Sequence, residues 1–299
     1  MIVITAPTGQ IGGRLLSSLL EAGEELRVVV RDPARLPESV RQRVDVVTGS
    51  HGDAATAERA FAGADAVFWL VPPDGSVPPE QGYRGFTRPA ARAFAEHGVG
   101  HVVGVSALGR GTPQAARAGL VTATLAVDDL IAASGVAYRA LACPSFFENL
   151  LEEAGSIRDH GVFTDTVAAD RPAPLVAVAD IAAAAAGLLL DRSWTGVGSV
   201  PVLGPRDLSP DDLARIMTEE LGRPVRYHRE SLEELRATML GYGLDAAFVE
   251  AMVAMKRAKD EGLDAGVTRS TPSGTEFAHW CATTLKPAVL AAPEAADAR

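Results

Sequence analysis

The chain begins MIVITAPTGQIGG, residues Met1 to Gly13, and no other stretch constrains its fold as strongly. Ile2, Val3 and Ile4 make a short apolar run with nothing before it that could be a helix. Thr5 to Gln10 reads as a turn, and Ile11 to Leu16 opens an amphipathic helix. A buried strand feeding a tight turn and then a helix start is the entrance of a dinucleotide-binding βαβ unit. Unpaired N–H groups and the positive end of the helix dipole attract a pyrophosphate there. Small residues let it reach the backbone. Gly9 and Gly12 stand where the second and third glycines of G-x-G-x-x-G belong, while Pro7, preceded by Ala6, takes the place of the first. Such a degraded fingerprint also fits an ordinary strand-to-helix turn that binds nothing. The next apolar run, Leu26 to Val30, adds weight to the binding reading because it ends in Arg31-Asp32-Pro33. An acidic residue at that distance holds an NAD ribose and an arginine accommodates a 2′-phosphate. Arg31 comes first, which favours NADP(H) over NAD(H).

Composition bounds the rest. At 299 residues the chain is ample for a sizeable core, as one large domain or two. A formal net charge of −10 with no basic cluster argues against nucleic acid and against an anionic membrane surface. Cys143 and Cys281 lack metal-ligand spacing, so neither a metal nor a structural disulfide is expected. The longest apolar stretch, Ile181 to Leu190, is too short to span a bilayer. With no targeting segment legible, a soluble cytoplasmic location is the expectation.

Strand-like runs alternate with helical patterns through the first half, at Val44 to Thr48, Ala64 to Val71, His101 to Ser106 and Ala137 to Cys143. That alternation predicts a parallel sheet covered on both faces. Pro144 is expected to open a helix. Gly161 to Pro174 reads as hairpin-like or extended, and Asp180 as the N-cap of an alanine-rich helix to Leu190. Val200 to Gly204 and Arg223 to His228 read as strands. Helices are predicted from Ser209 to Leu221, Ser231 to Gly241 and Asp245 to Glu261. The division that follows is a nucleotide domain over 1–150, a smaller substrate part over 151–287 interleaved with the sheet, and a disordered tail over 288–299. Sites in such sheets lie beyond the carboxyl ends of the strands. That rule gathers Pro7 to Gly12, Arg31, His51, Val71 to Pro73, Ser106 and Pro144 to Phe147 on one rim.

With these segments in place the chain resembles the NmrA-like group of atypical short-chain dehydrogenases/reductases, particularly its quinone-reductase-like members. The resemblance covers roughly residues 1 to 230. It is carried in family order by TAPTGQIG (Thr5 to Gly12), VVVRDP (Val28 to Pro33), GADAVFWLVPP (Gly63 to Pro73), VSALG (Val105 to Gly109), SGVAY (Ser134 to Tyr138), PSFFEN (Pro144 to Asn149), VAVADIAAAAA (Val176 to Ala186), LGPRDLS (Leu203 to Ser209) and LGRPVRYH (Leu221 to His228). It implies an α/β fold with a Rossmann-type doubly wound parallel sheet and a smaller, mainly helical C-terminal substrate part. It also implies that Thr8, Gly9, Gln10, Ile11 and Gly12 hold the pyrophosphate and that Arg31 faces the adenosine phosphate. Val71 and Pro72 would line the ribose, His51 would lie beside the adenine, and Ser106 would sit near the nicotinamide ribose. Pro144, Phe146 and Phe147 would border the nicotinamide and substrate.

The chemistry departs from that of ordinary short-chain dehydrogenases, where a lysine four residues after a tyrosine lowers its pKa for proton exchange with a carbonyl. Here Tyr83, Tyr138, Tyr227 and Tyr242 are followed at that spacing by Thr87, Ala142, Ser231 and Ala246. Thr124 sits near the place where NmrA-like reductases carry a lysine or histidine. All three lysines, Lys256, Lys259 and Lys286, lie beyond residue 255, so no cation is expected beside the site. Ser106, Tyr138 and His228 are the candidate proton donors. The leading expectation is an NADPH-dependent oxidoreductase acting on a small conjugated carbonyl or quinone-like acceptor. The alternatives are a non-catalytic NADP(H)-binding redox sensor or regulator with a protein partner, and a tailoring reductase of secondary metabolism. Oligomeric state is left open, a homodimer included.

Overall fold

The computed structural model describes residues 1–267 and 274–291. The first six strands are β1 (Ile2–Thr5), β2 (Leu26–Val30), β3 (Asp45–Thr48), β4 (Ala66–Trp69), β5 (His101–Ala107) and β6 (Ala137–Cys143). Beyond them come β7 (Ser145–Phe146), β8 (Val162–Asp165), β9 (Ala173–Val176), β10 (Val197–Pro201), β11 (Asp207–Leu208) and β12 (Arg226–Arg229). Seven strands form one parallel sheet in the order β10-β6-β5-β4-β1-β2-β3. The chain reverses its direction of travel across the sheet between β1 and β4, which is the switch point of a doubly wound fold. All four residues of β1 and all four of β4 are buried, the pattern of central strands covered on both faces.

The helices are α1 (Gln10–Glu21), α2 (Glu38–Arg41), α3 (Ala54–Phe61), α4 (Phe86–Glu96), α5 (Leu120–Ala132), α6 (Ala154–His160), α7 (Val178–Leu190), α8 (Pro210–Leu221), α9 (Leu232–Gly241), α10 (Ala246–Asp260), α11 (Phe277–Trp280) and α12 (Lys286–Leu290). One face of the sheet is covered by α1 and α7, with Leu15, Leu19, Ile181, Ala185 and Leu189 wholly buried. Removing each such leucine from water contributes about 2 kcal/mol. On the opposite face Phe61, Phe94 and Ile131 of α3, α4 and α5 form a second core. A third core joins Phe147, Phe163, Ile216, Met217, Phe277 and Trp280 in the C-terminal part. Three helices expected from the sequence start at capping residues. Ser209 and Ser231 form capping boxes with Asp212 and Glu234, and Asp245 accepts from the Phe248 N–H.

Other elements differ from expectation. The helix predicted at Pro144 is instead the short β7, which pairs with β9, followed by a 3₁₀ segment over Phe147–Leu151. α7 begins two residues earlier than predicted, at Val178. Asp180 lies in its first turn and accepts from Thr275 N–H and Oγ1 rather than capping the helix. β10 runs over Val197–Pro201, not 200–204. It is an edge strand, so one apolar residue in two suffices, and the Val200–Leu203 run misled the periodicity. The chain beyond residue 150 returns to the sheet through β10 and α7. The chain continues as helix through Leu290 with Val289 fully buried, so the predicted tail is structured over 288–290, and the remainder of that tail, 292–299, lies outside the described residues. Among the described residues no helix is long and apolar enough to cross a membrane, and no cluster of His, Cys, Asp and Glu could hold a metal.

Two details of the fold bear on the site. The turn after β1 takes its left-handed backbone at Ala6, with φ of 50°, rather than at Pro7. A side chain on Gly12 would drive into the Ala6 carbonyl and reach 3.2 Å from that of Thr5. One on Gly9 would make only ordinary contact, 3.4 Å from the Ala6 oxygen. His51, 8% exposed, packs edge-on to Trp69 and Phe86 with ring centroids at 5.1 and 4.8 Å. Its Nε2 lies 2.9 Å from the Leu70 carbonyl, and since a carbonyl only accepts, that nitrogen carries the proton. Burial pushes the ring's pKa down to about 4, against the bond to Leu70, and the nearby charge of Arg31 lowers it further.

Gly12→Ala should therefore cost about 1–3 kcal/mol in chemical denaturation, and Gly9→Ala far less. Equal losses would contradict the close approach at Gly12. The unfolded chain binds a proton on His51 that the folded state refuses below pH 6.5. Stability present above that pH is lost as pH falls toward 4, by about 3 kcal/mol over the whole window. A His51→Gln protein should lack this part of the slope between pH 6.5 and 5; parallel curves would show that the ring does not titrate with unfolding.

Candidate functional site: a cleft at the carboxyl edge of the sheet

At the carboxyl end of β1, Gly9 and Gln10 are exposed, Thr8 is half-buried, and Ile11 and Gly12 are buried beneath them. No side chain caps α1, and its first turn carries no acidic residue. The helix start therefore presents free N–H groups and an uncancelled dipole to whatever lies above Gly9. This is a cradle that a pyrophosphate fits. Thr5 ties it to the neighbouring strand, its Oγ1 donating to the Phe68 carbonyl at 2.9 Å and accepting from the Leu70 N–H at 3.1 Å. At the end of β2, Arg31 is exposed, while Asp32 accepts from the Ala34 N–H at 3.0 Å and so spends its carboxylate on its own turn. His51 lies close enough to Arg31 to feel its charge, with one ring face against the aromatic core.

Beside the cradle a cleft of about 350 Å³ opens over the ends of β4, β5 and β6. Ile11, Leu70, Val71, Pro73, Val105, Ser106, Pro144 and Phe146 line it, and Met252 and Met255 of α10 form its roof. Pro72, expected beside Val71, is exposed and does not line the cleft. The structure separates the two phenylalanines. Phe146 faces the cleft, whereas Phe147 is 2% exposed and packs on Phe277 and Trp280 in the third core, at 5.0 and 5.6 Å. Cys143 lines the cleft as a buried thiol whose pKa burial pushes up, disfavouring the thiolate.

The three candidate proton donors are also sorted. Ser106 lies in the cleft, 5% exposed, and its Oγ donates to Asp128 Oδ2 at 2.6 Å. Tyr138 lies behind it, 1% exposed, its hydroxyl donating to the other oxygen of Asp128 at 2.6 Å. Burial, reinforced by the Asp128 charge, holds the tyrosine well above the ordinary phenol range. His228 is exposed on β12, paired with β8, away from the cleft. Asp128 was not singled out from the sequence, although Val121, Leu125 and Asp128 share one helical stripe. Burial raises its pKa, while bonds from Ser106, Tyr138 and Arg110 oppose that rise. Arg110 reaches Asp128 at 3.3 Å and Asp129 at 2.9 Å.

The expectation that no cation stands near the site is overturned. Lys259, far along the chain, lines the cleft from α10. Its Nζ donates to Asp264 Oδ2 at 2.6 Å and to Ser145 Oγ at 3.2 Å. Distance in sequence was the wrong measure, because α10 folds back over the sheet edge. Met252, Met255 and Lys259 fall on one helical face, a signal that shows a stripe but not what it meets.

Residues 7–192 match the NAD(P)H-binding family. The (4-alkanoyl-5-oxo-2,5-dihydrofuran-3-yl)methyl phosphate reductase of Streptomyces griseus is 31% identical over 241 residues, 80% of each chain. Quinone oxidoreductase 2 of Escherichia coli is 27% identical over 247 residues, 82% of each chain. The structure of that quinone oxidoreductase with NADPH superposes with a TM-score of 0.76 at 24% identity, covering 97% of this chain and 98% of the other. NmrA, a negative transcriptional regulator solved with NADP, shares the fold with a TM-score of 0.70 at 13% identity, covering 96% of this chain and 95% of its own. The cradle, the switch-point cleft and these likenesses agree: the chain belongs to the NAD(P)H-binding family.

Proposed function

We propose that this protein is an NADPH-dependent reductase that acts on a small conjugated carbonyl or quinone-like acceptor. The observation that carries the reading is the apolar cleft continuous with the dinucleotide cradle, since Ile11 borders both. When bound, NADPH supplies the hydride. Thr8 to Gly12 receive the pyrophosphate on backbone N–H groups, and Val71 backs the ribose. Arg31 pairs with the 2′-phosphate. NADH lacks that phosphate, and the acidic residue that would hold its free ribose hydroxyl, Asp32, is already engaged by Ala34. The Ser106 hydroxyl hydrogen is donated in a hydrogen bond to Asp128, so its oxygen receives a hydroxyl of the nicotinamide ribose as an acceptor. Tyr138 acts at one remove, holding Asp128 in place. Pro144 and Phe146 press the nicotinamide side of the cleft, and the methionine roof excludes water from a flat acceptor.

Both relatives named above reduce conjugated carbonyl compounds by their names, which supports this acceptor class. The open, apolar space beside the cofactor cradle favours turnover over the sensor reading, in which that space has no use. A tailoring reductase would differ only in its substrate.

In calorimetric titration the wild type should bind NADPH more tightly than NADH. Arg31→Ala should weaken NADPH about 10-fold or more while changing NADH less than about twofold. Equal loss for both cofactors would remove the case for Arg31, and absence of binding by either would refute the proposal. With NADPH and 1,4-naphthoquinone the wild type should turn over. Ser106→Ala should raise the Kd of NADPH about 3- to 10-fold, through the lost ribose bond and a partner removed from buried Asp128. An unchanged Kd would place Ser106 outside the cofactor site.

A further inference from the structure

Lys259 is held by more than its own helix. At one end α10 is pinned to the loop after β4, where Asp245 N–H donates to the Gly75 carbonyl at 2.8 Å. In its middle the Ala251 carbonyl sits against Gly119, which has no side chain to keep it away. Beyond its far end Leu263 packs with Ala118, Val121 and Leu125 in a small core of its own. The lysine therefore projects into the cleft from a fixed element. Its side chain is 15% exposed, and that of its partner Asp264 is 7% exposed. An ammonium has three donors. Asp264 and Ser145 take two, and among the described residues nothing takes the third. One turn earlier Lys256 is engaged with Asp165 at 2.8 Å, so the two lysines do not compete for one carboxylate.

A buried ion pair is a poor source of stability, and its position beside a reaction space needs a reason. Ser145 directly follows Pro144 on the cleft wall, so Lys259 is tied to the stretch of wall that the reading above gives to the nicotinamide. We propose that Lys259 is the catalytic cation of the cleft and binds the acceptor's carbonyl oxygen as it becomes an oxyanion. The site so defined takes planar enones and quinones, whose reduction places negative charge on oxygen. This rests on the reductase reading above. In the step, the hydride forms one C–H bond, the π pair of the acceptor moves onto its oxygen, and the nicotinamide is left oxidised. The proton that the oxygen then needs comes from Nζ, which water reprotonates. Asp264 is a positioning residue: it holds the ammonium charged and aimed. The arrangement supplies the electrostatic part of the missing Tyr-Lys pair from the opposite end of the chain.

The test uses 4-nitrophenolate as an oxyanion probe and 4-nitroanisole as its neutral counterpart, titrated into the full chain with and without NADP⁺, at a pH where the phenol is ionised. Wild type should bind the phenolate more tightly than the ether. Lys259→Met should weaken the phenolate about 10-fold or more, leave the ether and NADPH within about twofold, and lower kcat for 1,4-naphthoquinone more than it changes KM. Lys259→Arg should recover part of the phenolate binding. Asp264→Asn should lower kcat without abolishing phenolate binding. Equal phenolate binding by wild type and Lys259→Met, or parallel loss of phenolate, ether and NADPH, would overturn the proposal. If wild type discriminates in favour of phenolate through Lys259 yet never oxidises NADPH with quinone, the reductase reading fails and the oxyanion site stands.

Discussion

The start of α1 lies so close to the carbonyls that end β1 that position 12 admits no side chain at all, and this approach sets the geometry of everything at the rim. Because the helix cannot back away, its uncapped first turn is aimed past Gly9 into the open. Because β1 is central, the same contact fixes that turn against the ends of β4 and β5, where Thr5 fastens Leu70 and the cleft begins. The left-handed backbone at Ala6 is the strain this arrangement carries. A non-glycine residue there costs about 1–2 kcal/mol, and it is borne at the turn that leads into the uncapped start of α1.

Behind the apolar cleft lies a polar anchor. Asp128 is a carboxylate on the buried side of a helix that is otherwise apolar, and it is tolerable only because Ser106, Tyr138 and Arg110 all donate to it. Ser106 is thereby made an acceptor toward the cleft. The polar groups lining the cleft thus differ in what they offer it: a hydroxyl with its proton turned away toward Asp128, and an ammonium held by Asp264 and Ser145.

Much of this was legible in the primary structure, and what was not follows a pattern. The strand-turn-helix entrance, the parallel sheet and the helices from Ser209 onward depend on residues close together in sequence, so periodicity finds them. Phe146 and Phe147 were indistinguishable by type, because a single residue's step in a short strand decides which side of the chain faces the cleft. His51 follows β3 in sequence, but its edge-on contacts with Trp69 and Phe86 come from separate elements. Lys259 was dismissed by its distance along the chain, although its stripe with Met252 and Met255 was visible. What the stripe faces is decided by the docking of α10 on α5. The Lys259–Asp264 pair is local in sequence, and its meaning is not.

The parallel sheet does not end at residue 150. β10 extends the sheet beyond β6, and α7, from the same later stretch, covers the face over β4, β5 and β6. A fragment stopping at residue 150 would expose Val103 and Leu141, which pack in the core shared with α7, and leave β6 as a raw edge. Recombination between relatives therefore has no clean seam at that point. An exchange of the later part of the chain that keeps the sheet whole would have to leave residues 178–201 with the first half. It would trade only the crossover before them and the elements after them, so the part beyond residue 150 can diverge only as two separate insertions around a retained helix and strand.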